Sequence, residues 1–111
     1  MPEPLLTEVF GAGASQTASQ LVLLKADMVS RGLTAAAVNT SESMLVYLVL
    51  QSANVLTEAN RLTDLANRNI SVSYSGQDLI DQGGANIYLR DTYQISLYKL
   101  TTIQPIDPDN Y

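Results

Sequence analysis

Apolar residues recur at steps of three and four over residues 39–66, which read NTSESMLVYLVLQSANVLTEANRLTDLA. This spacing places side chains on one face of a helix. The positions that share it are Leu45, Leu48, Val49, Ser52, Val55, Leu56, Ala59, Leu62 and Ala66. Asn39 and, three residues later, Glu42 resemble a capping box at the start of a helix. The pattern predicts one central helix over about 40–65.

A second interpretation of the same stretch stays open. Residues 44–50, MLVYLVL, are apolar on every side and rich in residues that favour strands. Periodicity alone does not distinguish a buried strand from a buried helix there. The alternative fold is therefore mostly β, with residues 43–52 as a buried strand. If the segment is helical, it is buried from both sides, and a neighbouring subunit is a natural second cover.

The second half of the chain alternates with a period of two, as half-buried strands do. Residues 70–74 alternate apolar and polar, and Tyr93, Ile95 and Leu97 alternate with Thr92, Gln94, Ser96 and Tyr98. We expect 70–74 to pair antiparallel with 92–100 across a loop at 77–86. Residues 87–89 extend the last strand or form a separate one, and the apolar run 20–26 predicts a further buried strand. The predicted fold is α+β, a small, mainly antiparallel sheet packed on one helix.

Both chain ends are predicted to be extended arms. Proline fixes the backbone and is excluded from helix interiors, and it occurs at positions 2, 4, 105 and 108. We divide the single domain 1–111 into an N-terminal arm (1–10), a body (16–100) and a C-terminal arm (101–111). Apolar residues of the arms, together with two tyrosines expected on the polar strand face, are the candidate interface residues: Leu5, Leu6, Phe10, Tyr88, Tyr98, Ile103, Ile106 and Tyr111.

Composition narrows the function classes. Charged residues make up 15% of the chain, below the roughly 25% of typical soluble domains, which suits a surface that is buried against partners. The net charge of −5 and the scattered basic residues argue against nucleic acid as a partner. The chain has no cysteine and no histidine, so thiolate and imidazole chemistry is missing. We therefore expect a non-enzymatic protein without a cofactor.

Three possible sites are better explained as ordinary structure. The GAGAS segment at 11–15 lacks the third glycine of a dinucleotide fingerprint, since Gln16 stands there, and the Gly-Lys-Ser/Thr of a phosphate loop. It is interpreted as a flexible bend. The carboxylate pairs Asp78/Asp81 and Asp107/Asp109 provide fewer oxygen ligands than a calcium loop requires. Strand propensity accounts for the tyrosines more simply than a ligand surface does.

No targeting or membrane segment is expected. The first ten residues lack the basic region and apolar run of a signal peptide, and the longest apolar stretch, 44–50, is far shorter than a membrane span. We expect a soluble protein that does not enter membranes.

Segments of the chain resemble a group of small uncharacterised proteins from cyanobacteria and their phages. The similarity lies in LTEVFGAGASQTASQLVLLKADM, NTSESMLVYLVL and RDTYQISLYK, about the first half of the chain plus one strand. The resemblance implies a virion structural setting and transfers no functional residue. Localisation would then be the virion, and otherwise the cytoplasm.

The leading expectation is a structural subunit of a repetitive assembly, most plausibly a phage capsid cement (decoration) protein or a tail or connector component. Its partners would be copies of itself and other subunits, contacted by the arms and by strand edges. The alternative is a small soluble module that binds a ligand or carbohydrate with the tyrosine-bearing strands and the 77–86 loop.

We predict that deletion of residues 101–111 leaves the body folded but impairs incorporation into particles, because the arm adds contact area on neighbouring subunits. Circular dichroism would verify the fold, and a co-assembly assay would quantify incorporation. Normal incorporation of the truncated chain would rule out the arm mechanism.

Overall fold

The computed structural model describes residues 3–99 and Pro108, and it has the predicted α+β composition. The elements follow in the order α1 (Leu6–Phe10), β1 (Ser15–Gln16), β2 (Leu21–Val22), α2 (Lys25–Met28), a 3-10 turn (Val29–Arg31), α3 (Ser41–Val55), α4 (Glu58–Thr63), β3 (Ile70–Asp81) and β4 (Ile87–Leu97). Two antiparallel hairpins, β1–β2 and β3–β4, make up the sheet structure of this part of the chain. The C-terminal arm with Ile103, Ile106 and Tyr111 lies outside the described residues, apart from Pro108.

Residues 43–52 are helical, so the alternative of a buried strand there is wrong. The cap of α3 is Thr40, whose hydroxyl accepts a hydrogen bond from the Ser43 amide at 3.2 Å. Asn39, expected as the cap, instead closes the preceding loop: its side chain binds the Ala36 amide at 3.1 Å and the Thr34 carbonyl at 2.9 Å. The predicted start of the helix was therefore off by one residue, because Asn39 has nearer backbone partners.

The predicted single helix over 40–65 is two helices. It ends at Val55, and Thr57 starts α4 by accepting a hydrogen bond from the Asn60 amide at 3.1 Å. The Asn60 side-chain amide then donates to the Val55 carbonyl at 2.8 Å. Side chains that hydrogen-bond to nearby backbone groups compete with the hydrogen bonds of the helix. Here they interrupt the helix between Val55 and Glu58.

The N-terminal segment is also corrected, because residues 6–10 are a helix and not an extended arm. Two side chains of α3 hold α1 in place: the Tyr47 hydroxyl donates to the Phe10 carbonyl at 3.1 Å, and the Gln51 amide donates to the Glu8 carbonyl at 2.7 Å. A Cβ at Gly11 would lie 2.8 Å from the Tyr47 hydroxyl oxygen, so the first glycine of GAGAS permits a close approach.

The predicted strand at 20–26 is reduced to a two-residue bridge. Only Leu21 and Val22 pair, with Gln16 and Ser15 of β1, and the chain enters α2 at Lys25. The Asp27 carboxylate on α2 accepts a hydrogen bond from the Gly13 amide at 2.7 Å, which ties the glycine segment to the helix.

The β3–β4 hairpin confirms the predicted antiparallel pairing and extends it. Ile70 lies opposite Leu97, and the register continues to Asp81 opposite Ile87, with a bulge between Tyr74 and Gly76. The loop expected at 77–86 therefore shrinks to 82–86, where Gly83 and Gly84 have φ angles of 82° and 94°. Residues 77–81 join the strand because Leu79 and Ile80 find partners in Leu89 and Tyr88.

The core is small and is distributed over α2, α3, the residue that follows α3, and β3. Its buried apolar residues among those described are Met28, Tyr47, Leu56 and Val72. The Val72 amide donates a hydrogen bond to the Leu56 carbonyl at 2.7 Å, which joins the hairpin to the helices. The radius of gyration is 18.6 Å, against about 13 Å for a compact domain of this length. Within residues 3–99, no helix is long and apolar enough to cross a membrane.

We predict that Tyr47→Phe lowers the free energy of unfolding by about 1 kcal/mol, because it leaves the Phe10 carbonyl without its donor in a part-buried position. Urea denaturation would measure the change. Tyr88→Phe, at an exposed hairpin position, is the matched control and should leave stability unchanged within about 0.5 kcal/mol. Equal effects of the two substitutions would show that the hydroxyl of Tyr47 does not anchor α1.

Candidate functional site

The register divides the β3–β4 hairpin into two chemically different faces. Residues that lie opposite each other in an antiparallel ladder share a face, and successive residues alternate between faces. We call one of these faces the apolar face. It consists of Ile70, Val72, Tyr74, Leu79, Ile87, Leu89, Tyr93, Ile95 and Leu97, with Gln77, Asp81 and Asp91 among them. The opposite, polar face carries Ser71, Ser73, Gly76, Asp78, Ile80, Tyr88, Arg90, Thr92, Gln94 and Ser96.

Most of the apolar face is open to solvent. Leu79, Ile87 and Leu89 at the distal end are 69%, 66% and 58% exposed, and Leu97 at the other end is 75% exposed. Within residues 3–99, β3 contacts α3 and α4, and this contact buries Val72 but leaves the distal half of the hairpin uncovered. A contiguous exposed apolar surface of this kind is a candidate interaction surface.

A groove of about 780 Å³ separates α3 from the near half of the apolar face. Val46, Val49 and Leu50 of the helix form one wall, and Tyr74, Tyr93 and Ile95 form the other together with Gln77 and Asp91. Near the end that is attached to the helices, α3 faces the apolar face across this groove. At the distal end, no described element covers it.

A hydrogen-bonded cluster lies in the hairpin wall of this groove. The Tyr74 hydroxyl donates to Asp91 Oδ1 at 2.7 Å, and the Tyr74 and Tyr93 rings meet edge to face with centroids 5.1 Å apart. The hydrogen bond to the carboxylate raises the pKa of Tyr74 to about 12. The same bond, followed by one from Gln77, lowers the pKa of Asp91. The Asp91 carboxylate therefore already has hydrogen-bond partners inside the hairpin.

The polar face carries an ion pair across the strands. Arg90 Nε and Nη2 bind Asp78 at 3.0 and 2.6 Å, and this contact lowers the pKa of the Asp78 carboxyl. Asp81 lies on the other face, where its Oδ1 accepts the Gly83 amide hydrogen bond at 2.9 Å. Asp78 and Asp81 therefore point apart and share no site. Among the described residues no cluster of three or more candidate metal ligands occurs, and Asp107 and Asp109 lie outside them.

The predicted interface residues have different surroundings. Leu5 is exposed at the start of α1, while Leu6 and Phe10 are half-buried in the helix that packs on α3. Tyr88 is exposed on the polar face, opposite Ile80. Tyr98 follows β4 and stacks against the Arg61 guanidinium, whose carbon lies 3.7 Å from the ring centroid. Tyr98 therefore binds the chain's own α4, with Arg61 also paired to Glu58.

Sequence reasoning missed the exposed apolar residues of the hairpin, Leu79, Ile87, Leu89, Ile95 and Leu97. The alternation of Ile95 and Leu97 was visible, but we expected a sheet that packs on the helix. We expected Leu79 in the loop 77–86. The sequence contained no signal for the exposure of these residues, because the helix predicted over 40–65 would be about 39 Å long and could cover the whole hairpin. The observed helix of 15 residues spans about 22 Å, whereas strands of 12 and 11 residues span about 40 Å.

Comparison with known proteins found no match: no family model, no curated protein and no solved structure resembles the chain at a significant level.

We predict that Asp91→Asn lowers the pKa of Tyr74 from about 12 towards its ordinary value of 10.0, because the charged acceptor is lost. Since folding raises this pKa, the interaction stabilises the fold below about pH 10, and that contribution is lost as the pH rises through about 12. Tyrosinate ultraviolet absorbance measures the titration. Asp81→Asn is the control, since Asp81 binds Gly83 and no tyrosine hydroxyl. Identical titration curves for the two variants would contradict the assignment.

Proposed function

We propose that this chain is a non-enzymatic structural subunit of a repetitive multi-subunit assembly, and that the apolar face of the β3–β4 hairpin packs against neighbouring subunits. The observation that carries the proposal is the exposure of Leu79, Ile87 and Leu89 on one continuous face with no covering element among the described residues. A two-stranded hairpin is marginally stable in water by itself, and it becomes stable when its apolar face packs against another surface.

The exposed area of the chain supports the proposal. The solvent-accessible surface is 8477 Å², whereas a compact monomer of 12.0 kDa exposes about 6,000 Å². The excess of roughly 2,500 Å² per chain would correspond to about 5,000 Å² over two partners, which is within the range of obligate subunit interfaces. Such an excess of exposed area is expected for a subunit that buries part of its apolar surface only when it associates.

A phage virion is the setting we propose, as a capsid cement or decoration protein or as a tail or connector component. This part rests on the similarity of three sequence segments to small proteins of cyanobacteria and their phages. The contact mechanism differs at the N-terminus from the one expected from sequence, because α1 is held by α3 of its own chain. The C-terminal arm, 101–111, remains a proposed contact with neighbouring subunits.

The groove beside α3 favours one alternative function, a small soluble module that binds a ligand or carbohydrate. Its volume of about 780 Å³ falls in the range of small-molecule sites. Tyr74 and Tyr93 would provide the stacking surface there, and Asp91 would provide a hydrogen-bond acceptor. A chain that stays monomeric at high concentration and is stabilised thermally by a small sugar would favour this module over the assembly subunit.

We predict that Leu89→Ser weakens self-association by about 2 kcal/mol per interface, or roughly 30-fold in the dissociation constant, because it removes one buried leucine from each contact. Native mass spectrometry and sedimentation over a concentration series would measure it. Leu62→Ser is the matched control, since Leu62 on α4 is 59% exposed, close to the 58% of Leu89, but lies off the hairpin. A monomeric parent chain, or equal effects of both substitutions, would contradict the proposed role of the hairpin.

A further inference from the structure

The two outer edges of the β3–β4 hairpin are not equivalent. The edge of β3 is partly occupied, because the Val72 amide already donates to the Leu56 carbonyl at 2.7 Å. The same strand carries the bulge between Tyr74 and Gly76, which interrupts regular pairing on that side. The helices α3 and α4 both pack on β3. The edge of β3 is therefore poorly suited to accept another strand.

The outer edge of β4 has none of these obstacles. In the described part of the chain, the sheet that contains β4 has two strands, so one edge of β4 has no strand partner. The strand runs for 11 residues, Ile87–Leu97, and contains no bulged residue, no proline and no lysine. Proteins that keep an edge strand in solution usually protect it with those features. The bulge of the hairpin lies in β3, opposite Tyr93 and Thr92, on the inner side of β4. An open, regular edge of this length is suited to pair with another strand.

We infer that β4 pairs antiparallel with β4 of a second copy of this chain, about a two-fold axis perpendicular to the sheet at Thr92, to form a four-stranded sheet. The inference rests on the proposed role as an assembly subunit and specifies its first contact. A perpendicular two-fold axis leaves the apolar faces of both hairpins on the same side of the joined sheet.

The register is selected by two requirements: like charges should not lie opposite each other, and the two β4 strands should pair over their full length. Residues on opposite faces do not pair, so the axis passes through a residue of β4 and not between two. An axis at Arg90 would oppose two arginines, and an axis at Asp91 would oppose two aspartates, and like charges directly opposite are destabilising. An axis at Thr92, the middle of Ile87–Leu97, pairs the whole strand and avoids both conflicts.

The Thr92 register also matches side chains across the new contact. Arg90 lies opposite Gln94 of the second copy, and Asp91 lies opposite Tyr93 of the second copy. On the apolar side, Leu89 faces Ile95 of the second copy, which gives an aliphatic cross-strand pair. The joined sheet presents one apolar face twice as wide as that of a single hairpin, which other subunits of the assembly can then cover.

Cysteine cross-linking tests the register directly, because the chain contains no cysteine. Directly opposed residues of an antiparallel ladder have Cα atoms about 4.5–5.5 Å apart, within the range that a disulfide spans. Thr92→Cys should therefore form a disulfide-linked dimer under mild oxidation. Thr92 is exposed, and its side chain forms no hydrogen bond or ion pair with another residue of the range 3–99.

Two further variants serve as controls and as a second measurement. Arg90→Cys and Gln94→Cys each place the two copies of the new residue about 13 Å apart, too far for a disulfide. Neither variant should therefore cross-link to itself, whereas an equal mixture of the two should give the mixed dimer. Ser73→Cys, on the same face of β3, should not cross-link in any combination because β3 lies outside the new contact.

Each outcome has a defined meaning. The inference is supported if Thr92→Cys cross-links to itself and Arg90→Cys cross-links to Gln94→Cys. If circular dichroism shows that one of these variants does not fold, the cross-link formed by the remaining variants is sufficient support. An oligomer by native mass without these disulfides overturns the β4 pairing and leaves the proposed assembly role intact. A monomer at high concentration overturns both.

Discussion

The attachment of β3 to the end of α3 is the contact on which the rest of this structure depends. The Val72 amide donates to the carbonyl of Leu56, and both residues are buried where the helix ends. Leu56 has left the helical conformation, so its carbonyl is available to a strand. The hairpin is thereby fixed near one end, and its other end projects from the helical layer.

This geometry explains why the core is small while the chain is rich in apolar residues. Hydrophobic residues make up 46% of the sequence, yet the described chain buries only Met28, Tyr47, Leu56 and Val72 among them. Burial of apolar surface is the main favourable contribution to folding. A partner that covers this surface would stabilise the folded chain, so the association that we propose would also add to its stability.

The polar groups near the open surface are arranged in a way that suits burial. Asp91 accepts hydrogen bonds within the hairpin, and Asp81 accepts one from the turn. Arg90 and Asp78 neutralise each other on the opposite face. Burying a polar group is costly when its hydrogen bonds are lost, and these groups retain theirs when the apolar face is covered. These polar groups therefore do not oppose the contact that we propose for the apolar face.

The sequence by itself determined the local features whose causes are local. Strict alternation placed Tyr93, Ile95 and Leu97 on one face and predicted the antiparallel hairpin, because side chains of a strand alternate whatever surrounds them. The run of threes and fours predicted one helix over 40–65, and the structure has helices over 41–55 and 58–63 in that range. The split of the helix at Thr57 is also local, since Thr57 and Asn60 bind neighbouring backbone groups, but the apolar spacing continues across it and hid it. Only the tertiary structure decided that α1 docks on Tyr47 and that no described element covers the distal part of the apolar face. Those outcomes depend on which backbone groups and surfaces meet, and residue spacing carries no information about that.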